Sequence, residues 1–180
     1  MVEEVLFAPL LTQQAPSKSR EILEQARRHF GFVPNLLASL AHSPVALSVY
    51  FYANVGFEFG TLTLAERQIV LLTASKENKC AYCSASHSAL ARFFANVPGD
   101  ALLAIESGQT PHDPKLNALV SLTRELVAQR GCVSRELIQA FLDAGYKKDQ
   151  LLEVLIGIGL MTISNYFDRM SAQEIDDESQ

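Results

Sequence analysis

The sequence has no basic run and no basic patch. Its 15 Lys and Arg stand against 20 Asp and Glu, for a formal net charge of −5. That balance argues against nucleic acid and against anionic membrane surfaces as partners. A secretory leader is not expected either: Met1-Val2-Glu3-Glu4-Val5 is acidic where a leader would be basic, and no cleavage pattern follows. The longest apolar stretch, Leu151 to Ile163, is interrupted by Glu153. It is shorter than the roughly 20 residues a helix needs to span a bilayer. No segment alternates polar and apolar residues with period two, and no hairpin turn chemistry appears, so a sheet is not expected. There is no glycine-rich phosphate loop, and Gly157-Ile158-Gly159 sits inside a helical pattern. No clear internal repeat is visible. These absences leave a soluble, cytoplasmic, all-α protein with neither nucleic acid nor membrane as partner. Only three cysteines are present. In a cytoplasmic setting a close pair of them is catalytic, redox-sensing or metal-binding rather than a structural staple.

What is present is apolar sequence at helical spacing. With 180 residues, 48% of them hydrophobic, the chain can bury one substantial core as a single domain, 1–180. Residues 1–16 form an apolar arm expected to pack on the domain or on a neighbouring subunit. A helix is expected over Ser17–Phe30, with Ile22, Leu23, Ala26 and Phe30 inward and Gly31 as its stop. A short apolar piece, Asn35–Ala41, precedes Ser43-Pro44, a cap followed by proline at the first helical position. The helix it starts runs to about Phe59, with Val45, Val49, Tyr52, Val55 and Phe59 as its apolar stripe. Thr63-Leu64-Ala65-Glu66 matches a capping box for a largely buried helix reaching Lys76. Further helices are expected over Cys80–Asn96, from Asp100 as cap to Ser107, from Asp113-Pro114 to Gln129, from Ser134 to Ala144, and from Lys148 to Ala172. The acidic tail 174–180 reads as solvated.

The chemistry is concentrated in Cys80-Ala81-Tyr82-Cys83-Ser84-Ala85-Ser86-His87, a C-x-x-C-x-x-x-H spacing. At about 100° per residue, Cys80, Cys83 and His87 fall within about 60° of one another on a single helix face. Cys83 and His87 are an i, i+4 pair, and the two cysteines are close enough for a disulfide. A helix start favours thiolate, and Lys79 assists while Glu77 opposes. His87 can take the Cys83 proton or protonate a leaving group. A thiolate that attacks a peroxide becomes a sulfenic acid, the second cysteine condenses with it, and an external dithiol resets the pair.

Two other uses of the same residues stay open at this point. Cys80, Cys83 and His87 are ligand types that zinc accepts, but no second C-x-x-C is present, and His29, His42 or His112 would have to complete the site. A non-catalytic helical interaction protein is the other. Haem attachment is excluded because Ser84, not His, follows the second cysteine, and a thioredoxin fold is excluded because βαβ elements are missing.

The stretch Leu64-Ala65-Glu66-Arg67-Gln68, followed by Asn78, Cys80, Tyr82, Cys83 and His87, resembles the alkyl hydroperoxidase D-like branch of the carboxymuconolactone decarboxylase family. The likeness is strongest over about 62–94 and extends over 36–127. The C-terminal helices, 134–172, with Ala144-Gly145-Tyr146 and Asn165-Tyr166-Phe167-Asp168-Arg169, are similar to the longer peroxidase-related members. The resemblance implies a helical bundle, homo-oligomerisation, no cofactor, and dithiol peroxidase or disulfide-reductase activity in antioxidant defence. The substrate would be a hydroperoxide or a disulfide. Cys83 would be peroxide-reactive and Cys80 resolving. The family's relay glutamate falls at Gln68, which cannot shuttle a proton. Glu66, about 200° around the helix from it, is then either a cap or a substitute relay. The decarboxylase branch does not use a C-x-x-C pair, so that chemistry ranks low.

Outside the motif, His42 reads as a helix-entry residue, Cys132 as a buried small apolar residue, and Tyr82 as packing near the thiols or shaping access to them. Leu151, Leu152, Val154, Leu155, Ile156, Ile158, Leu160, Met161 and Ile163 wrap most of the way around their helix. That implies cover on several sides, some of it from a second copy of the chain.

Overall fold

The computed structural model describes residues 6–171, all helix and connection with no strand among them. The acidic start at residues 1–5 and the acidic tail 174–180 lie outside the described residues. The helices are α1 (Ser17–Phe30), α2 (Asn35–Leu40), α3 (Pro44–Glu58), α4 (Leu64–Glu77), α5 (Ala81–Phe93), α6 (Gly99–Glu106), α7 (Pro114–Ala128), α8 (Arg135–Asp143) and α9 (Lys148–Ser171). The all-α expectation holds. Contacts divide the chain into two compact units: residues 1–56 with 166–180, and residues 57–165.

In the first unit Ile22, Leu23 and Ala26 of α1 are buried as their spacing requires, and Gly31 ends the helix at φ 85°. Within the arm, a 3-10 turn at Thr12–Gln14 packs on α1. Leu10 N–H donates to the Ala38 carbonyl at 3.2 Å. His42 hydrogen-bonds the Ala8 carbonyl at 2.9 Å and meets the Phe7 ring edge-on. The arm's described part therefore lies on its own chain.

The apolar stripe expected on α3 is the wrong face. Val45, Val49, Tyr52 and Phe59 are exposed, Val45 at 72% and Phe59 at 82%, while Leu47, Tyr50, Phe51 and Phe57 are buried. An α3 that is apolar nearly all round carries no periodic signal by which to choose its inner face.

The second unit is built around α4, which packs against α5, α6 and α7, with α8 against α7. Ile69, Val70, Leu72 and Ala74 of α4 are fully enclosed. Its start is anchored twice. Thr63 and Glu66 form the expected capping box, and the Glu153 carboxylate accepts from the backbone N–H groups of Thr61 and Leu62 at 2.8–2.9 Å. Helix α9 approaches α4 closely at Gly157, where a Cβ would sit 2.8 Å from a Val70 methyl.

Helix boundaries differ from expectation in places. Asp100 is not a cap: Pro98 occupies that position and Asp100 lies in the first turn of α6. Helix α5 begins one residue after Cys80 and ends at Phe93. Cys132, expected inside, is exposed on the turn between α7 and α8. The stretch Leu151–Ile163 belongs to a 24-residue helix which, by length and composition alone, could cross a membrane. Its packing is that of a core helix on one side: Val154, Leu160, Met161, Ser164 and Asn165 are buried. Leu152, Leu155, Ile156 and Ile163 are exposed, so this chain's described residues do not cover the helix on all sides.

Candidate active site

The turn that delivers the thiols is set by local backbone chemistry. Helix α4 ends with Asn78, and Lys79 follows at φ 57°. Lys79 N–H donates to the Lys76 carbonyl and Cys80 N–H to the Ser75 carbonyl, at 2.9 and 3.0 Å. This pair of bonds is a Schellman ending with Lys in the left-handed position that glycine normally fills. The Asn78 side chain donates to Asn165 Oδ1 at 2.9 Å. The chain thus leaves α4 and enters α5 with Cys80 as the N-cap residue.

The Cys80 sulfur accepts the Cys83 backbone N–H at 3.2 Å. A thiol there meets the partial positive end of α5, which favours its thiolate. Both cysteines are buried, and they lie 2.7 Å apart. The Cys83 sulfur has the Ser164 hydroxyl of α9 at 3.5 Å. His87, one turn further along α5 and partly buried, has Nδ1 3.0 Å from Gln68 Oε1. Burial lowers the His87 pKa to about 4, so the ring is neutral at pH 7. When Gln68 presents its oxygen, Nδ1 carries the proton and Nε2 is free to accept one.

Cys80 and Cys83 lie together at the start of α5, with Cys80 at the cap rather than within the helix face, and His87 follows one turn along the same helix. The Cys83 sulfur has the Ser164 hydroxyl beside it as well as Cys80, and His87 has Gln68. Glu66 is placed elsewhere. One of its oxygens accepts from the Thr63 N–H and hydroxyl, and the other pairs with Lys115 of α7 at 2.9 Å. Burial opposes its ionisation, but Lys115 and Thr63 outweigh burial and hold the carboxyl below its ordinary range. Lys115 also lies over the Tyr146 ring, which stacks on Phe141. Among the described residues the buried Tyr146 hydroxyl has no hydrogen-bond partner, and burial first, then the Glu66 charge, raise its pKa.

For the zinc alternative, no group of three or more His, Cys, Asp and Glu among the described residues could hold a metal ion. Ser164, Lys115 and the Gln68–His87 bond carry no role in the sequence reading. The signal for Ser164 is a polar pair, Ser164-Asn165, at the end of an apolar helix stretch, both of them buried.

No protein-family model matches the sequence, and neither does any curated protein. Solved structures do. One is alkylhydroperoxidase AhpD core, an uncharacterized peroxidase-related protein from Ralstonia eutropha JMP134. It matches with TM-score 0.80 at 19% identity, over 96% of this chain and 94% of that chain. The chain has the AhpD-core fold. An uncharacterized peroxidase-related protein from Silicibacter sp. TM1040 matches with TM-score 0.77 at 19% identity, over 98% of this chain and 94% of that one. The debrominase Bmp8 matches with TM-score 0.76 at 16% identity, over 96% and 93%. A cysteine-to-alanine variant of Bmp8 was solved in complex with 2,3,4-tribromopyrrole. At these identities the likeness establishes fold, and the helical bundle implied by the sequence resemblance is the one the chain adopts. The AhpD-core fold fixes where α4, α5 and α9 meet; what the side chains there do is a separate question.

Proposed function

We propose that the chain is a cytoplasmic thiol-dependent peroxidase and disulfide reductase in antioxidant defence, working through Cys83, Cys80 and His87. The observation that carries this reading is the pairing of two buried cysteines, 2.7 Å apart, at the N-terminus of α5, with the Cys83 N–H donated to the Cys80 sulfur. An inert core cysteine has no use for a helix-cap position, whereas a reactive one gains from it.

The Cys83 thiolate attacks an oxygen of the hydroperoxide. An S–O bond forms, the O–O bond breaks, and the alcohol leaves after taking a proton. Cys83 is thereby oxidised to a sulfenic acid and the peroxide is reduced. The Cys80 thiol attacks the Cys83 sulfur, the S–S bond forms, the S–O bond breaks and water departs. An external dithiol then reduces the disulfide in two exchange steps and ends as a disulfide itself. His87, kept neutral at pH 7 by burial, holds the Cys83 proton only transiently and passes it to the leaving alkoxide, a far stronger base. Gln68 orients the ring and moves no proton. Glu66 is left out of the relay because both its oxygens are engaged by Thr63 and Lys115.

Burial of both sulfurs favours a substrate as small as a hydroperoxide over the disulfide of another protein. Assembly with further copies of the chain belongs to the same proposal and is supported by the exposed apolar face of α9. The test is turnover with a small dithiol as electron donor. Hydroperoxide consumption is expected, and Cys83→Ser and Cys80→Ser each abolish its catalytic cycling. Bromide release from 2,3,4-tribromopyrrole without hydroperoxide consumption would move the reading to reductive dehalogenation. No reaction with a hydroperoxide, a small disulfide or the bromopyrrole would refute it.

A further inference from the structure

We infer that Ser164 is a catalytic hydroxyl of the thiol site, holding the Cys83 sulfur in its anionic form by donating a hydrogen bond to it. The inference rests on the proposed thiol chemistry but concerns a residue that α9, not the C-x-x-C motif, supplies.

A serine or threonine inside a helix usually satisfies itself by bonding the carbonyl one turn back. Its neighbours on α9 do so: Thr162 bonds the Ile158 carbonyl at 2.9 Å and Ser171 the Phe167 carbonyl at 2.8 Å. The Ser164 hydroxyl instead faces the Cys83 sulfur at 3.5 Å. Both groups are nearly sealed from water, Cys83 at 3% and Ser164 at 6% exposure. An anionic sulfur formed there by the proposed chemistry is shut off from water and needs a hydrogen-bond donor in place of the lost solvent. The backbone donor at the helix start is already spent on Cys80, whose sulfur takes the Cys83 N–H. Besides Cys80, 2.7 Å away, the Ser164 hydroxyl is the side-chain group that reaches the Cys83 sulfur from another helix. In the thiol state the S–H can donate to Oγ. Once the proton has gone to His87, the serine hydroxyl rotates and donates to sulfur, and no atom other than hydrogen need move.

The alignment of the hydroxyl is fixed by its helix. Three residues earlier Met161 receives the Ser75 hydroxyl at 3.2 Å, and next to Ser164 the buried Asn165 accepts from Asn78. These bonds pin α9 to the end of α4, one residue ahead of the turn that carries Cys80.

The experiment reads the thiolate of Cys83 directly, by ultraviolet absorbance against pH, in full-length chain carrying Cys80→Ser and Cys132→Ser. Four residues are compared at position 164: the native serine, Ser164→Ala, Ser164→Thr and Ser164→Val, with circular dichroism as the folding control. The two hydroxyl-bearing forms should titrate together, and the alanine and valine forms about one unit or more higher. Two pairs of unlike size keep the comparison decisive if one variant misfolds. Coincident midpoints within each folded pair overturn the inference. The result is independent of turnover: a shifted midpoint in a protein inactive towards every substrate sinks the proposed function and leaves the role of Ser164 standing.

Discussion

His87 shows how one residue's surroundings decide its chemistry. Its spacing from Cys83 announces a base, but burial sets its protonation state, lowering its pKa to about 4 and keeping the ring neutral at pH 7. The unfolded chain has an ordinary histidine near 6.5. Between those values the unfolded state binds more protons than the folded one, so acid favours unfolding. The contribution of His87 to stability is therefore full above about pH 6.5 and lost as pH falls towards 4, by at most about 3 kcal/mol. Chemical denaturation at several pH values should show stability falling through that window, and His87→Asn should flatten the fall. A wild-type midpoint that is level from pH 7 to pH 4 would contradict the burial argument. Spacing brought out the closeness of Cys80 and Cys83, 2.7 Å apart, because the two lie within one helical turn. It could not supply Ser164 or Lys115, which reach their partners from helices remote in sequence.

At the level of the element, α9 carries two glycines two residues apart with opposite meanings. A Cβ on Gly157 would lie 2.8 Å from Val70 and 3.0 Å from Phe57, whereas around Gly159 nothing lies within 4 Å. Gly157→Ala should destabilise by about 1–3 kcal/mol through overpacking. Gly159→Ala should stabilise by up to about 1 kcal/mol, since it replaces a flexible residue in a helix interior. Thermal unfolding of the two variants tests this, and shifts of the same sign would contradict it. In sequence the two glycines are indistinguishable. The capped helix starts at Thr63, Asp113 and Ser134 were legible because the capping residue and its target N–H are three positions apart. The inner face of α3 was not, because Val45 and Leu47 are equally apolar and only tertiary packing separates them.

On the scale of the whole molecule, the exposed leucine and isoleucine side chains of α9 need cover. Leu152 is 63% exposed, and Leu155, Ile156 and Ile163 are each above 40%. The proposed homo-oligomer buries this face. Light scattering at micromolar concentration should give a mass at least twice the 19.8 kDa of the chain. Leu152→Glu with Ile156→Glu should return it to a monomer that still folds. A wild-type particle at the chain mass contradicts the oligomer. Fold class was readable in the sequence because capped, glycine-terminated apolar segments of helical length leave no room for strands. How much of α9 a single chain covers was not, since that depends on which helices pack beside it.

The central claim is that Cys83 and Cys80 act as a redox pair, and counting thiols tests it most directly. Reduced Cys132→Ser protein, freed of reductant, is mixed with one equivalent of a hydroperoxide and its remaining thiols are titrated after denaturation. The account predicts that both thiols disappear together, recovered as a Cys80–Cys83 disulfide that a small dithiol reverses, and that Cys83→Ser in the same background prevents the loss. Two thiols still present after the hydroperoxide has been offered would contradict it.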